Sequence, residues 1–408
     1  MKKIAIMIQN IIQWYSIKPL VELLSQKPDI TVDILIFDPQ ENSIDYHSIA
    51  TSLSQSIKSD GFTVTPHPDS SGYQITLAPY SNMITFPSKY RLGYCYGAAT
   101  TKPALTLQPE FKKGFHGIFL HDIYSAELFS VYSKTYIVPY LYLKPLHRKT
   151  PSKKPTVLFL PTYHEKSTIE TAKSLAHLKK DYRIIAKKHH GTDHLREEKT
   201  TRQILETITD ELYDSTQYIV PLFEKADVVL SDNSGATMDA LYAKMPIAIA
   251  APEINNGFQG IDTLQYQLVQ AGIIPYADKI TPINLKRIIQ LALTKRQQFI
   301  QSTKSDEIFP IKKGGAEKWF EIIEQYLNDR IDTNYAVIHD YLVKASDTLK
   351  KDNINLRNMV KNINSVNQTL QFKITELEQQ LSLYQQELSI YKNSRLYRMV
   401  NKIRNLKR

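Results

Sequence analysis

Residues 226–246 read ADVVLSDNSGATMDALYAKMP, and the small polar residues in the middle of this stretch could bind a phosphate group. Residues 227–230 form a short apolar run typical of a buried parallel strand, and residues 236–244 carry apolar side chains at helical spacing. The turn between them would direct backbone N–H groups and the positive end of a helix dipole at one point, which favours an anion. The same pattern also fits an ordinary strand–turn–helix connection with a Ser or Asn cap.

Five residues of this stretch are predicted to contact a phosphate-containing donor molecule. Ser234 and Thr237 would supply hydroxyl groups, and Gly235 would let the backbone approach the ligand closely. Ser231 stands where the predicted strand gives way to the turn. Asp239 is placed where a carboxylate could accept a hydrogen bond from a ribose hydroxyl.

Two further segments repeat the order of strand, polar loop and helix. Residues 156–160 (TVLFL) run into a loop that contains Thr162, and residues 182–186 (YRIIA) run into Lys187-Lys188-His189-His190. In an open α/β sheet the carboxyl ends of neighbouring strands form one crevice, and ligands bind there. We therefore predict that Thr162 and Lys187 also bind the donor and that His189 faces its phosphates.

The order PTY…KxHH…SDxSGxxxDA…P resembles the C-terminal half of the CDP-glycerol glycerophosphotransferase family, the teichoic-acid polymerases and primases of the GT-B fold. The resemblance covers roughly residues 156–326. It implies that an acceptor hydroxyl attacks the β-phosphorus of CDP-glycerol and that CMP leaves. His189 matches the essential histidine of the family's KxH loop, which makes it a catalytic candidate.

The general base is less directly implied by this resemblance. The family carries its base in a Trp-His-Gly segment of the first domain, and this chain has no such segment; the nearest matches are His121 in FLHD and His116 in FHG. We predict His121 as the second catalytic residue, because a neighbouring carboxylate, Asp122, could orient it. The alternative for His121 is a hydrogen-bonded structural role.

Composition narrows the class of protein. The chain has 408 residues, 42% of them apolar, and a net charge of +10. Cys95 is its single cysteine, which excludes an intramolecular disulfide and favours a reducing compartment, and no Cys/His cluster suggests zinc. No segment reaches the roughly 18–20 apolar residues needed to cross a bilayer, and the apolar run at residues 4–8 reads as a strand rather than a signal peptide. We predict a cytoplasmic protein with no cofactor.

The fold class predicted is α/β and GT-B-like, with two Rossmann-like domains facing a cleft and a long C-terminal coiled-coil helix. Strands are expected at residues 3–8, 31–37 and 62–66, with helices at 17–26 and 43–57 between them. The Pro- and Lys-rich stretch 147–155 is the predicted linker. It separates an acceptor domain, 1–146, from a nucleotide-donor domain, 156–328.

Residues 329–393 are predicted to form a coiled coil. Apolar and aromatic residues recur at seven-residue intervals, and no Pro or Gly follows residue 331. Asn353 and Asn367 fall at core positions, which favours a fixed register, usually in a parallel homodimer. The alternative is a long helix that folds back on the catalytic domains.

Residues 394–408 (SRLYRMVNKIRNLKR) carry six basic residues and no acidic one. A basic amphipathic helix of this kind is typical of a membrane-surface anchor, so we predict a peripheral enzyme on the inner face of the cell membrane that acts on a lipid-linked polymer acceptor. A solvated, frayed tail is the alternative. The sequence has no signature of nucleic-acid binding.

Two other functions remain open at the level of sequence. A GT-B glycosyltransferase that uses a nucleotide sugar would need the same phosphate-binding turn and the same acidic residue near the ribose. A coiled-coil scaffold with degenerate enzyme domains is the third interpretation. No metal is predicted to take part, because Asp232 is followed by Asn233 and no Asp-x-Asp pair follows a strand.

Overall fold

The computed structural model describes residues 1–36, 46–65, 72–79, 87–97, 115–130, 133–146, 152–162, 166–189, 199–232, 234–251 and 263–331, together with individual residues between 359 and 399. Contacts divide the chain into a large unit, Met1–Val343, and a separate unit, Lys344–Arg408. Two six-stranded parallel sheets form the large unit. Within the part of the chain described, no helix combines the length and the hydropathy needed to cross a membrane.

The first sheet has the order β2-β1-β3-β4-β5-β6. Its strands are β1 (Lys2–Ile8), β2 (Ile30–Ile36), β3 (Ile75–Pro79), β4 (Tyr90–Tyr94), β5 (Gly117–Leu120) and β6 (Lys134–Ile137). Helices α1 (Ile11–Ser25), α2 (Tyr46–Ser59) and α3 (Ile123–Ser130) belong to the same domain. The side chain of Asn10 caps α1 by accepting from the Gln13 N–H.

The strand predicted at residues 62–66 is reduced to one bridge. Val64 pairs with Ile34 beside β2, and the described neighbours of Val64 form no ladder. The third full strand is instead β3, which pairs with β1 on the other side. Counting the bridge as a strand, the first sheet has the seven-strand order 3-2-1-4-5-6-7, whose first six strands have the arrangement characteristic of dinucleotide-binding Rossmann domains.

The second sheet has the order β12-β11-β10-β7-β8-β9. Its strands are β7 (Thr156–Leu160), β8 (Arg183–Lys187), β9 (Glu211–Tyr213), β10 (Val228–Ser231), β11 (Ile247–Ala250) and β12 (Tyr276–Ala277). When these strands are renumbered from the start of this domain, the order is again 3-2-1-4-5-6. Successive strands are added toward one edge of the sheet from β7 to β9 and toward the other edge from β10 to β12, so the switch point lies between β7 and β10. Ligands bind at such a switch point in open α/β sheets.

Among the described residues, eight helices follow β7 in the large unit. They are α4 (Lys166–Ala176), α5 (Lys199–Ile208), α6 (Val220–Lys225), α7 (Ala236–Tyr242), α8 (Leu264–Gln270), α9 (Pro282–Ala292), α10 (Lys295–Ile308) and α11 (Gly315–Leu327). The predicted strand 156–160 matches β7, and the predicted strands 182–186 and 227–230 each start and end one residue early. The helix predicted at 236–244 ends two residues sooner, before Lys244 adopts a left-handed conformation with φ of 58°.

Alternating residues of each central strand enter two different cores. In β7, Leu158 and Leu160 pack on one face of the sheet, whereas Val157 and Phe159 pack on the other. Helices cover both faces, so strands in these sheets read as continuous apolar runs rather than as alternating patterns. This is why the apolar runs at residues 156–160 and 227–230 marked strands of the second sheet correctly.

The last helix of the large unit, α11, packs on the first domain although it follows the second domain in the chain. Trp319 stacks on Phe119 with ring centroids 4.6 Å apart, and its Nε1–H donates to the Pro139 carbonyl at 3.0 Å. Tyr326 shares a hydrogen bond with Tyr136, at 3.0 Å. Through these contacts α11 connects the end of the second domain to the first domain. The domain limits proposed from the sequence stay predictions.

The C-terminal unit is described only in part. The residues described between 359 and 389 are helical, and they include a series of exposed apolar side chains. Most of the predicted coiled coil 329–393 and, apart from Met399, the basic tail 394–408 lie outside the described residues. The linker 147–155 is described only from residue 152.

Candidate functional site

The carboxyl edges of the two sheets face each other across a cleft. Tyr15, in the helix that follows β1, donates its hydroxyl to the Thr216 carbonyl beyond β9, at 3.2 Å. Gln267, in α8, donates through Nε2 to the hydroxyl of Tyr124, just beyond β5, at 2.8 Å. Each contact joins segments that follow strands in different domains, so the polar loops predicted from the sequence border the space between the domains.

At the switch point, the Asp232 carboxylate holds the end of β7 to the end of β10. It accepts hydrogen bonds from the Thr162 N–H, at 2.9 and 3.1 Å, and from the Thr168 hydroxyl, at 3.2 Å. All three residues are buried. Asp232 was not predicted as a site residue, although its place in the SDxSG motif was visible in the sequence. Thr162 thus contributes its backbone to the structure of the site.

Two of the predicted donor-binding hydroxyls make internal contacts. Ser231 donates to the Leu160 carbonyl at 2.8 Å, which ties β10 to β7. The Ser234 hydroxyl accepts from the Ala236 N–H at 3.3 Å, and the Ser234 carbonyl accepts from Gln265 Nε2 at 2.8 Å. Gly235 begins α7 with a helical φ of −58°, so its backbone conformation does not itself require glycine. These contacts shape the turn that the sequence assigned to phosphate binding.

Thr237 lies in the first turn of α7 and is the predicted donor-binding residue whose hydroxyl is left without an internal partner. The side chain is fully buried, and its Oγ1 makes no hydrogen bond with any described residue. A buried hydroxyl without a partner is unfavourable by about 1–3 kcal/mol, so such atoms in folded proteins usually meet a ligand or a water molecule.

Asp239 faces the segment between the two domains. Its Oδ2 accepts from the Tyr142 hydroxyl at 3.4 Å, and the same hydroxyl lies 3.0 Å from the Tyr96 carbonyl of the first domain. Its Oδ1 is buried and makes no hydrogen bond within the part of the chain that the structure describes. Burial raises the pKa of Asp239 to about 7. The predicted contact of this carboxylate with a ribose would require it to leave the tyrosines that now surround it.

Lys187 and His189 follow the end of β8, next to β7. The Lys187 ammonium is buried and donates to the carbonyls of Ser215 and Lys188, at 2.8 and 3.2 Å. Lys188 forms an ion pair with Asp214 at 2.9 Å. His189 is partly exposed and lies at this same edge of the sheet, whereas His190 lies outside the described residues. The structure therefore places the KxH segment one strand away from the Thr162–Asp232 contact.

His121 directly follows β5, and two backbone carbonyl groups lie close to its ring nitrogens. Its Nδ1 lies 3.1 Å from the Val138 carbonyl and its Nε2 lies 3.0 Å from the Cys95 carbonyl. Its ring stacks on Tyr140 with centroids 3.8 Å apart. Burial lowers the pKa of His121 to about 4. These contacts fit the alternative role given for His121 above, that of a hydrogen-bonded structural residue. Proton transfer by His121 stays a prediction.

The Asp122 carboxylate, which was expected to orient His121, binds Ser125 instead. Asp122 caps α3, since its carboxylate accepts from the N–H and the hydroxyl of Ser125, each at 2.6 Å. Burial raises the pKa of Asp122 to about 6. His116, the other candidate, precedes β5 at the amino edge of the sheet, where its Nδ1 accepts from the Arg91 N–H at 3.1 Å. His116 is therefore remote from the cleft.

The structure brings together the segments that carry Thr162, Lys187, His189, Ser231, Ser234, Gly235 and Thr237, because their strands β8, β7 and β10 are neighbours in the sheet. Asp239 points to the interdomain tyrosines, and His121 belongs to the other domain. A cavity of about 1280 Å³ lies elsewhere, at the amino ends of the second sheet near Thr156, Arg183 and Asp227. Among the described side chains, no cluster of three or more His, Cys, Asp or Glu residues could hold a metal ion.

Solved structures with the same arrangement of domains include enzymes of nucleotide-sugar and polymer metabolism. The S. aureus MnaA–UDP complex covers 80% of this chain and 97% of its own, with 16% identity and a TM-score of 0.53. A UDP-N-acetylglucosamine 2-epimerase described as putative, from Listeria monocytogenes, covers 81% and 97%, with 10% identity and a TM-score of 0.52. The wall teichoic acid polymerase TagF covers 81% and 89%, with 14% identity and a TM-score of 0.52.

No protein-family model matches this sequence, and no curated protein matches it. At identities of 10–16%, the structural likenesses show the fold alone. They agree with the two parallel sheets and the facing carboxyl edges described above. The chain has the GT-B fold that its sequence predicted.

Proposed function

We propose that this protein transfers glycerol phosphate, or a related polyol phosphate, from a CDP-activated donor to a hydroxyl of a lipid-linked cell-wall or capsule polymer. The observation that carries the proposal is that the described residues of three motif segments, PTY, KxHH and SDxSG, follow the ends of the adjacent strands β7, β8 and β10. The likeness in fold to a wall teichoic acid polymerase supports the same reaction class.

The donor's diphosphate would lie against the turn between β10 and α7. The Thr237 hydroxyl there has no hydrogen-bond partner among the described residues. The hydrogen bonds from the Thr162 N–H to the Asp232 carboxylate fix the neighbouring loop. Preorganised donors of this kind stabilise negative charge without having to reorganise during the reaction. His189, at the end of the next strand but one, would contact the same phosphates from the other side.

The transfer breaks one bond and forms one. The acceptor oxygen attacks the β-phosphorus, the bond from that phosphorus to the bridging oxygen breaks, and CMP leaves with the bonding electrons. The acceptor proton must pass to a base, and charge builds up on the departing phosphate. A cationic or hydrogen-bonding group at His189 would stabilise that charge, while Lys187 holds the loop in place through two carbonyl groups.

Donor identity separates this proposal from a glycosyltransferase that uses a nucleotide sugar. The second candidate is favoured by the MnaA structure, whose ligand is UDP. Purified protein would be heated with CDP-glycerol, CDP, UDP, and a panel of UDP- and CDP-sugars. A ligand present at 100 times its Kd adds about 2.7 kcal/mol to the free energy of unfolding, so the true donor should raise the Tm clearly. A response to a UDP-sugar and none to CDP-glycerol would replace the first proposal with the second.

Catalysis is tested by two histidine variants. His189→Ala should abolish donor-dependent CMP release, whereas His177→Ala, on an exposed turn after α4, should leave it unchanged. Gly235→Val is a second loss-of-function variant, because added bulk would block approach to the turn. Wild-type turnover in His189→Ala would remove that residue from the site. A wild-type chain that neither binds nor turns over any nucleotide-activated donor would favour the scaffold interpretation.

Membrane recruitment belongs to the same proposal. A lipid-linked acceptor lies at the membrane surface, and the basic tail 394–408 would concentrate the enzyme there. A chain ending at residue 393 should bind vesicles of anionic lipid more weakly, and binding of the full chain should fall as salt rises. Turnover of a short soluble acceptor should be the same for the two chains. Equal vesicle binding by the two chains would contradict the role of the tail.

A further inference from the structure

The C-terminal unit presents an apolar face that is exposed in the single chain. Six large side chains on it are 48–67% exposed, and they fall at intervals of seven, four or three residues: Ile363, Leu370, Ile374, Leu377, Leu381 and Tyr384. Because the described residues between 359 and 389 are helical, this spacing places the six side chains on one stripe. An exposed stripe of this size is unusual unless another surface covers it.

We propose that the stripe binds the same stripe of a second copy of this chain, as a two-stranded coiled coil that is parallel and in register. In heptad notation, Ile374 and Leu381 occupy a positions, while Ile363, Leu370, Leu377 and Tyr384 occupy d positions. Ile374 at a, between Leu370 and Leu377 at d, is the combination that favours two strands over three or four.

Two asparagines outside the described residues bear on the direction and the register through their heptad positions in the sequence. Asn353 and Asn367 fall at a positions, and in parallel, in-register helices each would meet its own copy. A shift by one heptad would place Asn367 against Val360 or Ile374. Antiparallel helices pack a against d, and every d position from 342 to 391 is Leu, Ile or Tyr, so each asparagine would be buried against an apolar side chain. Parallel, in-register pairing is the arrangement that pairs each asparagine with an asparagine.

Charges beside the stripe agree with this direction. Lys373 occupies a g position and Glu378 occupies the e position five residues later, which are the places that meet between parallel helices. Lys373 is 64% exposed and pairs within its own helix with Glu376 at 2.9 Å. The sequence repeats the complementary pattern at Glu387 and Lys392, with the signs reversed.

Charge exchange in the full-length chain tests the pairing. Lys373→Glu and Glu378→Lys, each alone, place like charges opposite each other, and the dimer Kd should rise about three- to tenfold for each. The double variant restores two pairs and should return to within about twofold of the wild type. Ile374→Asp should give a monomer at micromolar concentration, whereas Thr375→Asp, one residue away on an exposed position, should remain dimeric.

Cysteine cross-linking tests the direction. In a Cys95→Ala background, Leu377→Cys should form an interchain disulfide on mild oxidation, because equivalent d positions are adjacent only in a parallel, in-register pair. Thr375→Cys, on the outer face, should not. Molecular mass would be measured by light scattering across a dilution series.

Three results would overturn the proposal. A monomeric wild type at all concentrations would mean that the helix is covered within its own chain. A dimer in which Leu377→Cys does not cross-link would mean antiparallel or shifted helices. A trimer or tetramer would mean that the helix pairs with more than one copy.

Discussion

The backbone N–H of Thr162 donates to both oxygens of the Asp232 carboxylate, at 3.1 and 2.9 Å, across the point where the second sheet changes direction. This contact joins the loop after β7 to the end of β10, and the Thr168 hydroxyl adds a third donor from α4. A buried carboxylate that accepts several hydrogen bonds is held firmly and holds its partners firmly. The Asp232 carboxylate therefore helps to hold the loop that borders the proposed donor site.

Replacing Asp232 by Ala should destabilise the second domain by about 1–3 kcal/mol, because the buried Thr162 N–H would lose its acceptor and the Thr168 hydroxyl would keep only the Thr162 carbonyl, at 3.3 Å. Asp214→Ala is the matched control, since its carboxylate is 77% exposed and forms a surface pair with Lys188; it should change stability by less than about 0.5 kcal/mol. Thermal unfolding by far-ultraviolet circular dichroism, without donor, measures the difference. Equal melting temperatures for the two variants would show that the hydrogen bonds to Asp232 contribute little to stability.

Asp239 should make stability depend on pH in a defined direction. The folded-state pKa is about 7, above the value of about 3.9 expected in the unfolded chain. Between these values the folded protein keeps a proton that the unfolded chain has released, so the contribution of Asp239 to the free energy of unfolding falls as pH rises from about 4 to 7. Asp239→Asn stays neutral and should lose nothing over this range.

The measurement is the Tm of Asp239→Asn minus that of the wild type, taken from pH 4 to 8. This difference cancels the titration of Asp122 and His121, which are present in the two proteins alike. It should rise by a few degrees up to about pH 7 and then level off. A difference that stays constant with pH would mean that Asp239 is ionised throughout, and that its carboxylate is better solvated than its buried Oδ1 indicates.

The alternation of strands and helices could be predicted because it depends on local pattern. β7 was located to the residue, and β8 and β10 to within one residue, since apolar runs bounded by polar loops mark strands covered on two faces. β3 was missed: its sequence ITLAP ends in a proline, and its pairing with β1 is a long-range contact that no local pattern shows. The strand expected at residues 62–66 is represented by a single bridge from Val64 to Ile34, at the edge of the sheet beside β2.

Motif spacing predicted which segments meet but not what each side chain does there. The hydroxyl of Ser231 and the ammonium of Lys187 bind backbone carbonyls, and these acceptors come from segments distant in sequence, Leu160 and Ser215. His121 likewise faces carbonyls of Cys95 and Val138. A sequence shows residue types and intervals, whereas the partners of a buried polar atom depend on how the tertiary structure folds around it.

The packing of α11 on the first domain gives a third prediction. Trp319 is fully buried, stacks on Phe119 and donates to Pro139, so Trp319→Ala should cost about 3–5 kcal/mol. Trp319→Phe keeps a ring against Phe119 and should cost less. Trp14, the other tryptophan, lies in the same core and reports unfolding by its fluorescence. Phe299→Ala, at a side chain 72% exposed, is the control and should change little. If the first domain of Trp319→Ala unfolds at the same temperature as that of the wild type, the stabilising contact between α11 and the first domain is contradicted.

The last prediction is that transfer does not need a divalent cation. No Asp-x-Asp pair follows a strand, and the two carboxylates nearest the turn after β10 have other partners: Asp232 binds Thr162 and Thr168, and Asp239 faces Tyr142. Helix and turn N–H groups together with the His189 segment would instead balance the diphosphate charge. CMP release should therefore continue at an unchanged rate in EDTA and should not rise when Mg²⁺ or Mn²⁺ is added. Loss of activity in EDTA with recovery on adding either ion would contradict this assignment and would require carboxylates outside the described residues, or a rearrangement of Asp239, to hold the metal.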